Sequence, residues 1–298
     1  MATADVPGAV ADRPAPRLVV PSSAHQVLKL TRYQLREYLL SRRFVILLGI
    51  VAAIGAIITG VVAHFRGALI ATNLPFYATF WGTGAGFTVV LAAVFFGGDA
   101  IAGEFQNRTG YFLMGLPIRR ATVYIGKYIA AFLASTAVLL LFLAILVGNG
   151  FYYFGAGAVP WQLGLSLVLA VVYLAAVLGA TFMFSSLFKT SAYGFVLTAI
   201  LFLFGFTLLQ DLIQGLVKIE PWMVISYAQG TIGNAFSTSI PWGITGQTTT
   251  IGTPVGGGRV AETTIYTPGI AEGVVIMLAY FLLTAIAGLL LFEREEFS

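Results

Sequence analysis

The sequence predicts an all-α membrane protein that crosses the bilayer six times. Three observations carry this. Only 9% of the 298 residues are charged and 58% are hydrophobic, against roughly 25% and 45–50% in soluble domains. The mean hydropathy is +0.92. Six segments, 44–63, 79–98, 123–147, 163–187, 192–216 and 270–292, have the roughly 20 apolar residues that a hydrocarbon core about 30 Å thick requires of a helix. So few charges cannot cover a water-facing surface. That excludes a soluble globular protein, a disordered chain and a nucleic-acid-binding domain.

Residues 1–21 lack an apolar run and contain Pro7, Pro14, Pro16 and Pro21. They read as a disordered tail, not a cleaved signal peptide. Residues 22–43 read as an amphipathic helix, opened by a capping box at Ser23 and Gln26. Val27, Leu28, Thr31, Leu35, Tyr38 and Leu39 fall on one face, and Lys29, Arg32, Arg36 and Arg43 on another. A basic amphipathic helix directly before a span suits an anionic leaflet surface. The same charges would also serve as an ordinary flank of the first span. The spans then run through 44–292, followed by a short tail, 293–298.

Charge sets the orientation. Thirteen of the 16 Lys and Arg lie on the side of the termini, and only Arg66, Lys218 and Arg259 on the other. Positive charge stays inside, so both termini are expected in the cytoplasm of a multi-pass cell-membrane protein. Within the spans the charged residues are Lys127, Asp211 and Glu272. All sit near segment ends, where such groups reach the interface.

The cytoplasmic connection 99–120 reads as short helical pieces broken at Gly110, Gly115 and Pro117. Glu104 and Arg108 stand four apart, in the favourable order for a helix pair. Phe105, Tyr111, Phe112, Leu113 and Met114 are large and apolar outside the bilayer. They fit either a docking surface or a loop that hugs the membrane. The outer loop, 217–268, is expected to hold one or two short helices within 221–236, at or dipping into the outer leaflet. A β-hairpin of 248–255 and 259–266 around Gly256, Gly257 and Gly258 should follow.

No catalytic chemistry stands out. The chain has no cysteine, hence no disulfide, thiolate metal site or cysteine nucleophile. The Gly126-Lys127 pair is followed by Tyr128, so no phosphate-binding loop is present. His25 and His64 lie on opposite sides of a span, which excludes a two-histidine zinc site within the chain. Asp99 and Asp211 fall at opposite membrane faces, too far apart for a carboxylate dyad. Asp211 is expected as an outer-interface polar residue beside Gln210 and Gln214, or as a contact in a pathway. No catalytic residue, metal or cofactor of its own is therefore expected. Small residues recur four apart at Ala52, Ala56 and Gly60, and at Gly82 and Gly86. Such stripes serve close helix packing within one chain or between two.

The stretch Asp99-Ala100-Ile101-Ala102, Glu104, Arg108-Thr109-Gly110, Pro117, Arg119-Arg120 and Gly126-Lys127 resembles the permease subunits of type-2 ABC transporters. The order of elements over 22–298 is similar too. The resemblance implies that 99–120 holds a coupling helix seated in a groove of a separate ATPase, with Glu104, Phe105, Arg108, Thr109, Tyr111, Phe112 and Arg119 at the contact. It also implies two ATPase copies that bind ATP and Mg, a second permease subunit, identical or paralogous, and export as the direction. The other readings are an ion-driven secondary transporter, which would need ionisable groups near the midplane, and a membrane-embedded scaffold or enzyme subunit.

Overall fold

The computed structural model describes residues 22–64, 72–106, 118–255 and 259–294. Helices α1 (Ser23–Leu40) and α2 (Arg42–His64) meet at Ser41. The Ser41 hydroxyl accepts the Phe44 N–H at 3.1 Å, the hydrogen bond of an N-cap, and so starts α2 as a separate helix. At the other end of α1 the expected capping box is not formed. Ser22 is the N-cap and makes no side-chain cap bond, and Ser23 is already helical.

The buried face of α1 also differs from the expected one. Thr31 is buried and Leu30, Leu35 and Tyr38 pack on the core, whereas Leu28 is 66% and Leu39 38% exposed. The cause lies in the neighbouring helix α5. The Thr31 hydroxyl donates to the Gly126 carbonyl at 3.2 Å, and Gly126 has no side chain to keep Leu30 away. The helix is turned by this contact toward protein.

Helix α3 (Asn73–Gly97) is apolar on all sides, the pattern of a fully enclosed helix. About 78% of its most apolar stretch is buried, against 17–22% for the first, fifth and sixth spans, so α3 is the centre of the bundle. A tight turn leads into α4 (Ala102–Gln106). Helix α5 (Arg120–Phe154) runs 35 residues, longer than its apolar core suggested. It ends at Gly155, whose φ of 70° favours glycine. Helix α6 is Gln162–Leu187.

The fifth span, α7 (Ser191–Val217), contains two π turns, Leu201–Gly205 and Ile213–Val217. After it come α8 (Ile225–Asn234), the antiparallel strands β1 (Gln247–Val255) and β2 (Arg259–Thr267), and α9 (Ile270–Arg294). The strands pair from Gln247↔Thr267 to Val255↔Arg259, as the sequence led one to expect. The six helices long and apolar enough to cross a membrane are α2, α3, α5, α6, α7 and α9. With six crossings, α1 and the end of α9 share one end of the bundle, where the Arg120 guanidinium donates to the Glu293 carbonyl at 2.9 Å. This is called the terminal end below, and the opposite one the hairpin end.

Helix α8 is a single helix enclosed by α3, α6 and α9, with Ile225, Tyr227, Ala228, Thr231 and Ile232 buried. Glycines on α3 make the room. A Cβ at Gly82 would lie 2.8 Å from the Gly233 Cα, and one at Gly86 1.9 Å from the Gln229 amide nitrogen. That small-residue pair thus serves packing within the chain. The Ala52, Ala56 and Gly60 row on α2 is exposed.

Candidate functional site

The residues with the densest polar contacts lie at the terminal end, where α3 passes into α4. Segment 96–106 is held from five helices. From α1, the Tyr38 hydroxyl donates to the Phe96 carbonyl at 3.3 Å. Burial, and then the nearby Asp99 carboxylate, push that hydroxyl above its ordinary pKa, so it stays a donor. From α2, Arg43 pairs with Asp99. From α5, the Lys127 ammonium pairs with Glu104 and donates to the Ala100 carbonyl at 3.0 Å. From α6, the Ser185 hydroxyl accepts the Ile101 and Ala102 N–H groups at 3.0 and 3.1 Å. The Gln106 side chain accepts the Ser191 N–H at the start of α7, at 2.9 Å. A cavity of about 650 Å3 opens beside this junction, walled by Tyr33, Glu37, Arg43, Asp99, Glu104 and Lys127 among others.

The sequence-predicted residues distribute as follows. Glu104 is in the junction, and Arg119 is exposed at the N-cap of α5. Phe105 falls within α4, but its side chain, and all of Arg108, Thr109, Tyr111 and Phe112, lie outside the described residues. Lys29, Arg32 and Arg36 are exposed on α1 and, with Tyr33, line a shallow cavity of about 360 Å3. Asp211 is exposed on α7, far from Asp99 in the chain's course.

Sequence reasoning missed Lys127 as a member of the site. It was expected to reach the interface, yet it is 5% exposed and turned into protein. The signal available was a lysine inside an apolar segment that follows a connection carrying two carboxylates, Asp99 and Glu104. A buried ammonium requires partners, and Glu104 supplies one.

The hairpin end holds a second polar group. The Ser226 hydroxyl of α8 lies 3.0 Å from the Phe206 carbonyl and 2.7 Å from the Gln210 side chain. Gln214 donates to the Tyr266 carbonyl at 3.4 Å. Gln210 and Gln214 thereby fasten α7 to α8 and the hairpin. Glu272, the third residue of α9, accepts the Gly269 N–H at 3.1 Å, a helix-capping contact. Tyr227 donates to Glu220. Burial and that bond hold the Tyr227 hydroxyl above its usual pKa. Among the described residues no three His, Cys, Asp or Glu side chains group as metal ligands do.

A central helix packed against α2, α5, α6, α7 and α8, within a set of six membrane-length helices and with a polar junction gathered at one end, defines a multi-pass membrane protein. Residues 22–297 match the family described as ABC-2 family transporter protein. The chain belongs to that family: it is a membrane permease of an ABC transporter, and membership implies partnership with an ABC ATPase subunit. A comparison with curated proteins gave no match.

Proposed function

We propose that the chain is the pathway-forming subunit of an ATP-driven exporter. Two copies, or one copy and a paralogue, enclose the pathway, and two ATPase subunits bind ATP and Mg beneath them. This chain carries no catalytic residue or cofactor. Its ends lie in the cytoplasm, with Lys29, Arg32 and Arg36 on the inner leaflet of the cell membrane. Residues 99–120 form the coupling region, with Phe105, Tyr111 and Phe112 as anchors and Arg108, Thr109 and Arg119 as polar contacts, while the Glu104 carboxylate pairs with Lys127 and ties the region to the bundle. ATP supplies the differential binding energy at the partner, and closure of the ATPases shifts the permease between states.

The junction around 96–106 carries this reading. The segment that would receive the push is bonded to α1, α2, α5, α6 and α7, so its displacement is felt across the bundle. An ion-driven carrier has less support. Lys127 and Glu272, the two buried charged side chains among the described residues, sit near span ends, not at the midplane where coupling ions bind.

Purification of the permease with its ATPase from native membranes, followed by ATP hydrolysis assays, tests the reading. Interface energy concentrates in a few buried aromatic and Arg side chains. Phe105→Ala or Phe112→Ala should therefore cost about 2 kcal/mol or more of ATPase association, while size-exclusion chromatography in detergent shows a folded permease. Normal ATPase retention in both variants would remove the coupling assignment, and loss of the permease would mean that the side chains serve its own fold.

A further inference from the structure

Two ion pairs tie the α3–α4 segment to its neighbours, and they differ in kind. Arg43–Asp99 is a surface pair on the cation's side, with the Arg43 side chain 57% exposed. Water can replace Asp99 at the exposed guanidinium, so this pair yields more cheaply than one whose cation is buried. Lys127–Glu104 is enclosed, with side-chain exposures of 6% and 18%. The Lys127 ammonium is gripped twice, by the Glu104 carboxylate and by the Ala100 carbonyl four residues earlier. Parting that pair would leave a buried ammonium uncompensated, which is far costlier than moving both partners together.

We infer that Lys127 is a positioning residue for energy coupling, a clamp that carries displacement of the 100–106 segment into α5 while the Arg43–Asp99 pair gives way. This inference rests on the coupled-exporter reading above. The geometry fits a rigid link. Lys127 is the eighth residue of α5, which runs unbroken for 35 residues, about 50 Å at 1.5 Å per residue. Its root is braced by Thr31 of α1, whose hydroxyl donates to the Gly126 carbonyl, so α1 moves with it. A shift at Lys127 is thus delivered to the hairpin end, where Phe154 packs on Phe76 of the central helix with ring centroids 5.7 Å apart. Span one rests on α5 through the Asn149 amide, which donates to the Thr59 hydroxyl at 3.0 Å, so the motion reaches it by way of α5 and not through the Arg43–Asp99 pair.

The test uses the permease–ATPase complex in lipid vesicles and needs no known cargo, because ATP with vanadate is the probe. The chain has no cysteine of its own, so spin labels at Y152C and W222C, both exposed at the hairpin end, report a distance change. In Lys127→Met and Glu104→Gln, ATPase retention should stay within about twofold of the parent. The vanadate-dependent distance change should fall by at least half. The exchanged pair E104K/K127E should restore it, and Arg43→Met should leave it intact. A full distance change in K127M and E104Q overturns the clamp. So does loss comparable to K127M in R43M, failure of the exchanged pair to restore the change, or loss of the ATPase from the single variants. Should K127M not fold, E104Q carries the test, because Lys127 keeps its bond to Ala100. A parent chain that captures no ATPase sinks the exporter reading and the clamp with it. Capture with unaffected variants sinks the clamp alone.

Discussion

Gly82 and Gly86 decide where α8 sits. Gly82→Ala places a methyl against backbone, 2.8 Å from the Gly233 Cα, and backbone gives way only by moving a helix. Overpacking of this kind costs about 1–3 kcal/mol. The variant should melt earlier in detergent than the parent. Gly60→Ala is the contrast: nothing lies within 4 Å of its Cβ, so it should be neutral or gain up to about 1 kcal/mol from lower chain entropy. Ser166 is the other residue that locates α8. It accepts the Trp81 indole N–H at 2.9 Å and donates to the Ile232 carbonyl at 2.6 Å, joining α3, α6 and α8. Ser166→Ala strands a buried donor and a buried acceptor, each worth about 1–3 kcal/mol. Faster amide exchange confined to α8 would be its signature, and unchanged exchange there would deny Ser166 that role.

At the scale of elements, membrane-length helices were legible because an apolar run of given length is a property of the chain alone. The hairpin was legible for a similar reason: segments rich in Thr, with Ile and Val, flank three glycines in the sequence. Enclosure was not legible. Whether α8 lies on a leaflet or inside the bundle depends on glycines about 150 residues earlier on α3. The turned face of α1 depends likewise on Gly126. The fate of Lys127 depends on Glu104, which local pattern would pair with Arg108. The basic face of α1 was read directly, and Lys29, Arg32 and Arg36 are exposed. Replacing Arg32 and Arg36 by Glu should weaken attachment to an anionic leaflet by about 1 kcal/mol for each positive charge removed. The yield of assembled permease and its ATPase capture would fall. Unchanged assembly would reduce the helix to a flank.

For the whole molecule, the orientation expected from charge can be read on a chain with no cysteine. Thr253→Cys in β1 and Gln106→Cys in α4 stand at opposite ends of the bundle. An impermeant thiol reagent on sealed right-side-out cells should label the first and spare the second. The reverse pattern, or labelling of both, would overturn the orientation. The π turns of α7 bear on the same whole. At Leu201–Gly205 the Phe206 N–H reaches back five residues to the Leu201 carbonyl, so this stretch holds one residue more than α-helical winding needs. Deleting that residue would swing everything beyond it by about 100° around the axis. Gln210 would lose Ser226, and Gln214 would lose Tyr266. One surplus residue sets the bearing of the span's far end, like a shim under a hinge leaf. A single-codon deletion there should disturb the hairpin end more than a point substitution at Gln210 or Gln214.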